Sequence, residues 1–515
     1  MSSTGLLKKI DYLSTVSGGG YIGSSLTWFK AVLGQDSFPG KSRKENKEGQ
    51  SGRFMSWLRE RGNYLAPGDG LNLWSLFAAL LTGILVNLIV ILPVFFCAFF
   101  LLTREVFICK IPEWFPFISN IDKTTSFHYM ICAGIILAIV FVVFALVFAI
   151  FTARTCKDEN DNDRGYKTQR KMRKWAGNLL LSTVALFLIG TIPYVAEAFK
   201  EIIKYLASAI SLSGLISFLS GLIDRKDENE TKGFRSLLLT VGLSLLVYGF
   251  FLLMYNFAFQ IKEDELTKYW LIIAGSLLIS VITALLADIN HISMHRYYRN
   301  RLMEAYMPNE NADKYSVKAD CCKLHSIYET YPITDAPYHI INTNIQTIGS
   351  KKPKFKARGG NSFILSPYFC GSDPKCTGYI QTDQYVKGSM NLATAMAISG
   401  AAVDPNSYFT RSRPLAFVMD LLNLRLGYWI ENPNPKKKIS RFSRFNWYIG
   451  IFTELFGSNL DETNKYIHLS DGGHFENLGL YELIQRKCKT IIVSDAGADP
   501  DWQFSDLARG LRWSG

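Results

Sequence analysis

Six stretches of the chain contain no Asp, Glu, Lys or Arg: residues 70–103, 124–153, 175–196, 205–223, 236–261 and 269–287. Roughly 20 apolar residues in helical conformation cross a bilayer, so each is long enough to span. The fourth, rich in Ser and Gly, has the weakest pattern of the six. Outside these stretches the pattern changes. Residues 1–33 read as helix, strand, turn and helix. Residues 34–69 read as a polar, basic linker ahead of the apolar block at 70–287. From 288 onward short apolar runs alternate with polar turns, the mark of an α/β domain. Among them, Tyr466–Ser470 and Thr490–Ser494 read as strands and Leu480–Arg486 as a helix.

Composition agrees with this division. Hydrophobic residues make up 48% of the 515, and the mean hydropathy of +0.10 is high for a soluble chain. The net charge of +12 sits beside apolar spans, which fits anionic lipid headgroups better than nucleic acid. The segment 154–174 carries eight Lys/Arg and 224–235 four, against three in 104–123 and two in 262–268. By the positive-inside rule the first two face the cytoplasm. Six spans then leave residues 1–69 and 288–515 together on the cytoplasmic side, as a domain shared between the two ends requires. The nine cysteines form no C-x-x-C pair and read as free thiols. No cofactor and no metal site are expected. His291 and His295 share a helix face at i, i+4, a possible metal pair, but no third ligand is in view. A polar helix with Arg296, Arg299 and Arg301 near headgroups is the preferred reading. Lys436, Lys437, Lys438, Arg441 and Arg444, interleaved with Phe442, Phe445, Trp447 and Tyr448, form a basic-aromatic patch suited to a membrane surface. The apolar spans hold almost no ionisable residue, which argues against a transporter.

Candidate chemistry lies near both ends. Leu13-Ser14-Thr15-Val16-Ser17-Gly18-Gly19-Gly20 is an apolar strand, a serine and glycines leading into a helix. This is the layout of a nucleophile elbow, in which a strained strand-to-helix turn exposes the serine. Small residues after Ser17 are expected because side chains there would clash. The N–H groups of Gly18 and Gly19 at the helix start would then hold an oxyanion. Asp471-Gly472-Gly473 follows the strand 466–470, and Asp471 is the candidate general base. Asp495 is the fallback, and His474 invites a triad reading although it lies too near Asp471 in sequence to bridge it to Ser17.

Ser17 and Asp471 together resemble the Ser–Asp dyad of the patatin-like phospholipases, whose marks are G-x-S-x-G and D-G-[GA]. Leu392–Ala402 is similar to the small-residue helix behind their elbow, and Tyr338–Thr343 to one of their core strands. The likeness is to large bacterial members in which membrane helices interrupt the catalytic domain. It covers both ends and the region from about Asp288 onward. The resemblance implies an α/β patatin-like domain, a mixed sheet flanked by helices, interrupted by an inserted bundle of about six transmembrane helices. It further implies a serine acyl hydrolase acting on membrane phospholipid or lysophospholipid, set in a bacterial inner membrane with the catalytic domain cytoplasmic. Thr15 replaces the first glycine of the elbow motif. No G-G-x-R-G-like loop precedes Ser17 and the chain stops mid-helix by pattern at Trp513-Ser514-Gly515, so it reads as truncated at both ends. Loss of an oxyanion donor typically costs about 10²–10³ in rate, and weak activity is expected on that ground. The alternative is a non-catalytic lipid-binding or scaffold relic of the same fold.

Overall fold

Strand β2 (Tyr338–Gln346) organises the β-sheet of the molecule. The computed structural model describes residues 6–34, 50–65, 72–104, 126–155, 162–198, 232–261, 266–329, 337–407, 412–437 and 447–515. The chain divides into two compact units, Met1–Val90 with Val281–Gly515, and Ile91–Ser280.

In the first unit β2 is buried along nearly its whole length, and its two faces differ as strand periodicity requires. Ile341 and Ile345 join an apolar core with Phe363, Leu365, Ile467 and Leu469. Asn342, Asn344 and Gln346 point the other way and are also buried. A seven-stranded mixed sheet forms around this strand: β1 (Tyr12–Val16), β3 (Gly360–Leu365), β4 (Phe369–Gly371), β5 (Tyr379–Gln381), β6 (Tyr428–Glu431) and β7 (Tyr466–Asp471) complete it. The order is β5-β4-β3-β2-β7-β6, with β1 paired separately to β2. The β1–β2 pair is parallel and the other pairs are antiparallel. The helix Leu392–Ser399, buried at every residue, packs on the apolar face, where small side chains let it approach closely.

Two expectations change here. Residues 490–494 form no strand, and Ile492 is 61% exposed. The polar stretch 34–69 is not all linker. Gln50–Glu60 is a helix whose buried Phe54 and Trp57 join the core, and the Trp57 indole donates to the Ala305 carbonyl at 3.0 Å.

Among the described residues, five helices are long and apolar enough to cross a membrane: Leu73–Leu102, Phe127–Phe151, Arg170–Glu197, Leu239–Phe259 and Lys268–Leu286. The span expected at 205–223 lies outside the described residues. Ile136, Val142, Leu181, Leu245 and Leu271 are all more than half exposed along these helices. Such a density of bare apolar side chains suits a lipid surround, not water. Within the second unit, Phe99, Phe100, Phe127, Tyr255 and Ile273 form its core. Gly190 sits where a Cβ would lie 2.6 Å from Ile131, the small-residue contact that lets apolar helices pack without a hydrophobic driving force. In the first unit, Asn87 is fully buried. Its amide donates to the carbonyls of Asp420 (2.7 Å) and Leu421 (3.0 Å) and accepts from the Trp447 indole at 2.8 Å.

Candidate active site

The site exists because two strands share one edge of β2. β1 runs parallel to β2 and occupies its first half, ending with Val16 opposite Asn342. β7 runs antiparallel along the second half and ends with Asp471 opposite Thr343. The two strands therefore approach each other head-on, and their C-terminal tips meet at the 342–343 peptide. Whatever follows Val16 and whatever ends β7 must touch. Those residues are Ser17 and Asp471, and the Ser17 hydroxyl donates to Asp471 Oδ2 at 2.8 Å.

Ser17 stands at φ 50°, ψ −125°, a strained conformation for a non-glycine residue that persists only when its surroundings hold it. Four hydrogen bonds do so. The Ser17 N–H donates to Ser399 Oγ at 3.2 Å, and Ser399 Oγ donates in turn to the Asn342 carbonyl at 2.7 Å. The Asn342 amide donates to Ser14 Oγ (2.8 Å) and the Thr15 carbonyl (2.9 Å), pinning β1. Ser399 and Asn342 were not singled out from the sequence. An asparagine inside an otherwise apolar strand was the available signal, since a buried amide needs several partners.

The chain turns directly from Ser17 into helix α1 (Gly18–Thr27). A Cβ on Gly18 or Gly19 would meet nothing within 4 Å, so the expected clash is absent at those positions. The steric demand falls instead on Gly23, where a Cβ would lie 2.6 Å from Thr15 Cγ2. Gly18 and Gly19 are exposed while Ser17 is half-buried, which leaves the hydroxyl open in front. As first-turn residues, Gly18 and Gly19 carry N–H groups with no acceptor inside the helix, and the helix dipole adds positive potential there. Both can serve an anion forming at Ser17.

Asp471 is 3% exposed. Its Oδ1 accepts from the Gly473 N–H at 2.7 Å, which turns Oδ2 toward Ser17. Gly472 between them passes so close to β2 that a Cβ would lie 2.5 Å from the Asn342 carbonyl oxygen. Burial raises the Asp471 carboxyl to about 6, against the pull of the Gly473 N–H and the Ser17 hydroxyl. It is mostly ionised at neutral pH and a better proton acceptor than an ordinary aspartate. The arrangement can take the Ser17 proton directly.

The remaining candidates lie elsewhere. His474 pairs through Nδ1 with Ser470 Oγ at 3.0 Å, and burial lowers it to about 4, so it stays neutral. Asp495 is exposed and closes its own turn by accepting from Gly497 N–H at 2.8 Å. His291 and His295 do not share a helix. Ser293, extended at ψ 167°, separates Ile289–Ile292 from Met294–Tyr306. His291 pairs with Asp288 at 3.1 Å, and buried His295 bonds the Leu426 carbonyl at 2.7 Å. Arg299 and Arg301 are buried, not spread on a headgroup surface. Arg299 pairs with Asp320, and Arg301 pairs with Glu304 at 2.5 Å. Of the basic-aromatic patch, 438–446 lie outside the described residues, and Trp447 is fully buried. Searches of protein-family models, curated proteins and solved structures found no match to this chain.

Proposed function

We propose that this protein is a membrane-embedded serine acyl hydrolase of the patatin-like kind, acting on the acyl ester of a phospholipid or lysophospholipid. The observation that carries the reading is the 2.8 Å hydrogen bond from a strained, open Ser17 to a buried Asp471. Ser17 Oγ attacks the ester carbonyl as Asp471 Oδ2 takes its proton. Gly18 and Gly19 N–H hold the oxyanion, and the alcohol leaves with a proton returned from Asp471. Water, activated by the same carboxylate, then releases the fatty acid from the acyl-enzyme. The chemistry calls for neither metal nor organic cofactor.

A fluorophosphonate ester should label Ser17. Ser17→Ala should abolish labelling and ester hydrolysis. Asp471→Asn should cut turnover by about 10²–10⁴, the usual worth of a general base. Labelling that persists in Ser17→Ala, or that is absent from the folded wild-type chain, favours the non-catalytic lipid-binding reading instead.

Contact between Ser17 and Asp471 also supports a topology in which both ends of the apolar block emerge on one face of the membrane. We place that face in the cytoplasm of a bacterial inner membrane, from the Lys/Arg asymmetry. Reporter fusions at Lys47 and after Ala305 should both read cytoplasmic and one near Ile118 external. Opposite signals at the first two sites would sink this arrangement.

A further inference from the structure

A cavity of about 540 Å³ opens where the last apolar helix ends. Its lining includes Leu286, Asp288, His295, Arg296, Glu431 and Trp447, but neither Ser17 nor Asp471. It is therefore separate from the dyad.

Three of its side chains are left with unmet capacity. His295 is 2% exposed, and its Nδ1 faces the Leu426 carbonyl at 2.7 Å. A carbonyl can only accept, so Nδ1 carries the proton and Nε2 presents a lone pair. That Nε2 is buried without a hydrogen-bond partner among the described residues, a costly state unless something donates to it. Burial and the nearby Arg299 and Arg296 charges lower His295 to about 4, so the ring does not meet the need by protonating at neutral pH. Glu431, at the end of β6, has no ion pair and no side-chain hydrogen bond among the described residues. Arg296 has Asp320 only at 3.7 Å and is more than a third exposed. By contrast Asp288 is satisfied, by Asn290 N–H and His291.

The cavity thus offers two acceptors, one of them anionic, beside one loosely held cation. At its lip Leu285 and Leu286 are 65% and 81% exposed and close a helix long and apolar enough to span a membrane. A ligand that fits carries an N–H-donating cation, a phosphate a few atoms away, and an apolar tail. We propose that this cavity binds the phosphoethanolamine headgroup of a membrane lipid, with the phosphate on Arg296 and the ammonium shared between Glu431 and His295 Nε2. A choline headgroup has no N–H to give to Nε2. A glycerol headgroup can donate a hydroxyl there but brings no cation to Glu431.

The test uses the full chain carrying Ser17→Ala, so that failure of the hydrolase reading leaves it unaffected. The protein in detergent is offered equimolar dioleoyl phosphatidylethanolamine, phosphatidylcholine and phosphatidylglycerol, and retained lipid is counted by native mass spectrometry. Phosphatidylethanolamine should be held about tenfold more than either competitor, the worth of one charge-assisted hydrogen bond. Glu431→Gln should remove that preference, and Arg296→Gln should lower retention of all three lipids alike, both without lowering the melting temperature. Displacement by soluble phosphoethanolamine but not phosphocholine supports headgroup recognition. Equal retention of phosphatidylglycerol, equal displacement by inorganic phosphate, or an unchanged preference in Glu431→Gln overturns it.

Discussion

Two places where the first unit buries carboxyl groups show how the surroundings make them chemically different. Asp471 has an N–H and a serine hydroxyl, and burial raises it to about 6. Some distance along the same strand, His468 lies among Asp404, Asp420 and Glu454, all fully buried. Glu454 has what Asp471 lacks, a cation. Arg425 and the Trp429 indole bind its Oε1. Burial alone would raise Glu454, but Arg425 and His468 outweigh it and hold the group low. Asp420 answers the other way: burial and the Glu454 charge raise it well above the usual carboxylate range. A buried carboxylate becomes a base when its countercharge is missing and a nucleophile stands against it. With the countercharge present it becomes a structural ion.

The strongest test of that contrast is Arg425→Met. Removing one partner of a buried ion pair leaves the other uncompensated and costs about 3–5 kcal/mol. The melting temperature in detergent should fall sharply, while fluorophosphonate labelling per folded molecule stays near wild type. A large loss of labelling with stability intact would move the cluster into the chemistry.

The opposite sign is expected at the dyad. Asp471 titrates near 6 when folded, against an ordinary 3.8, so the native state binds that proton more tightly than the unfolded chain does. Its burial therefore costs nothing below about pH 4 and progressively destabilises the fold as pH rises through 6. Asparagine does not titrate. Asp471→Asn should match wild type in stability near pH 4 and exceed it at pH 7.5 by up to about 3 kcal/mol. The wild-type rate should drop about tenfold per unit below pH 6 as the base protonates. A stability difference that does not change between pH 4.5 and 7.5 would mean that Asp471 is not an uncompensated buried base.

Much of the site was legible because its chemistry is local. A serine followed by glycines after an apolar strand, and Asp-Gly-Gly after another, carry their meaning in a few consecutive residues. The long apolar stretches were legible for the same reason, since length and the absence of charge are enough to mark a span. The misreadings share one cause, the use of local pattern where burial decides. Thr490–Ser494 has strand composition, yet it remains exposed. His291 and His295 have helical spacing, yet Ser293 breaks the helix between them. Arg299 and Arg301 look like surface charges, yet Asp320 and Glu304 draw them inside.

The sequence by itself determined which residues could react, and that apolar helices separate them by more than 450 positions, because those facts depend on residue type and run length. The tertiary structure decided that they meet. No local pattern records that β1 and β7 divide one edge of β2 and run toward each other, since strand pairing is set by contacts between residues hundreds of positions apart. It also decided which buried carboxylate stands against a serine and which against a cation. Asp471 and Glu454 carry the same carboxyl group, and only the folded chain puts Arg425 beside one and Ser17 beside the other.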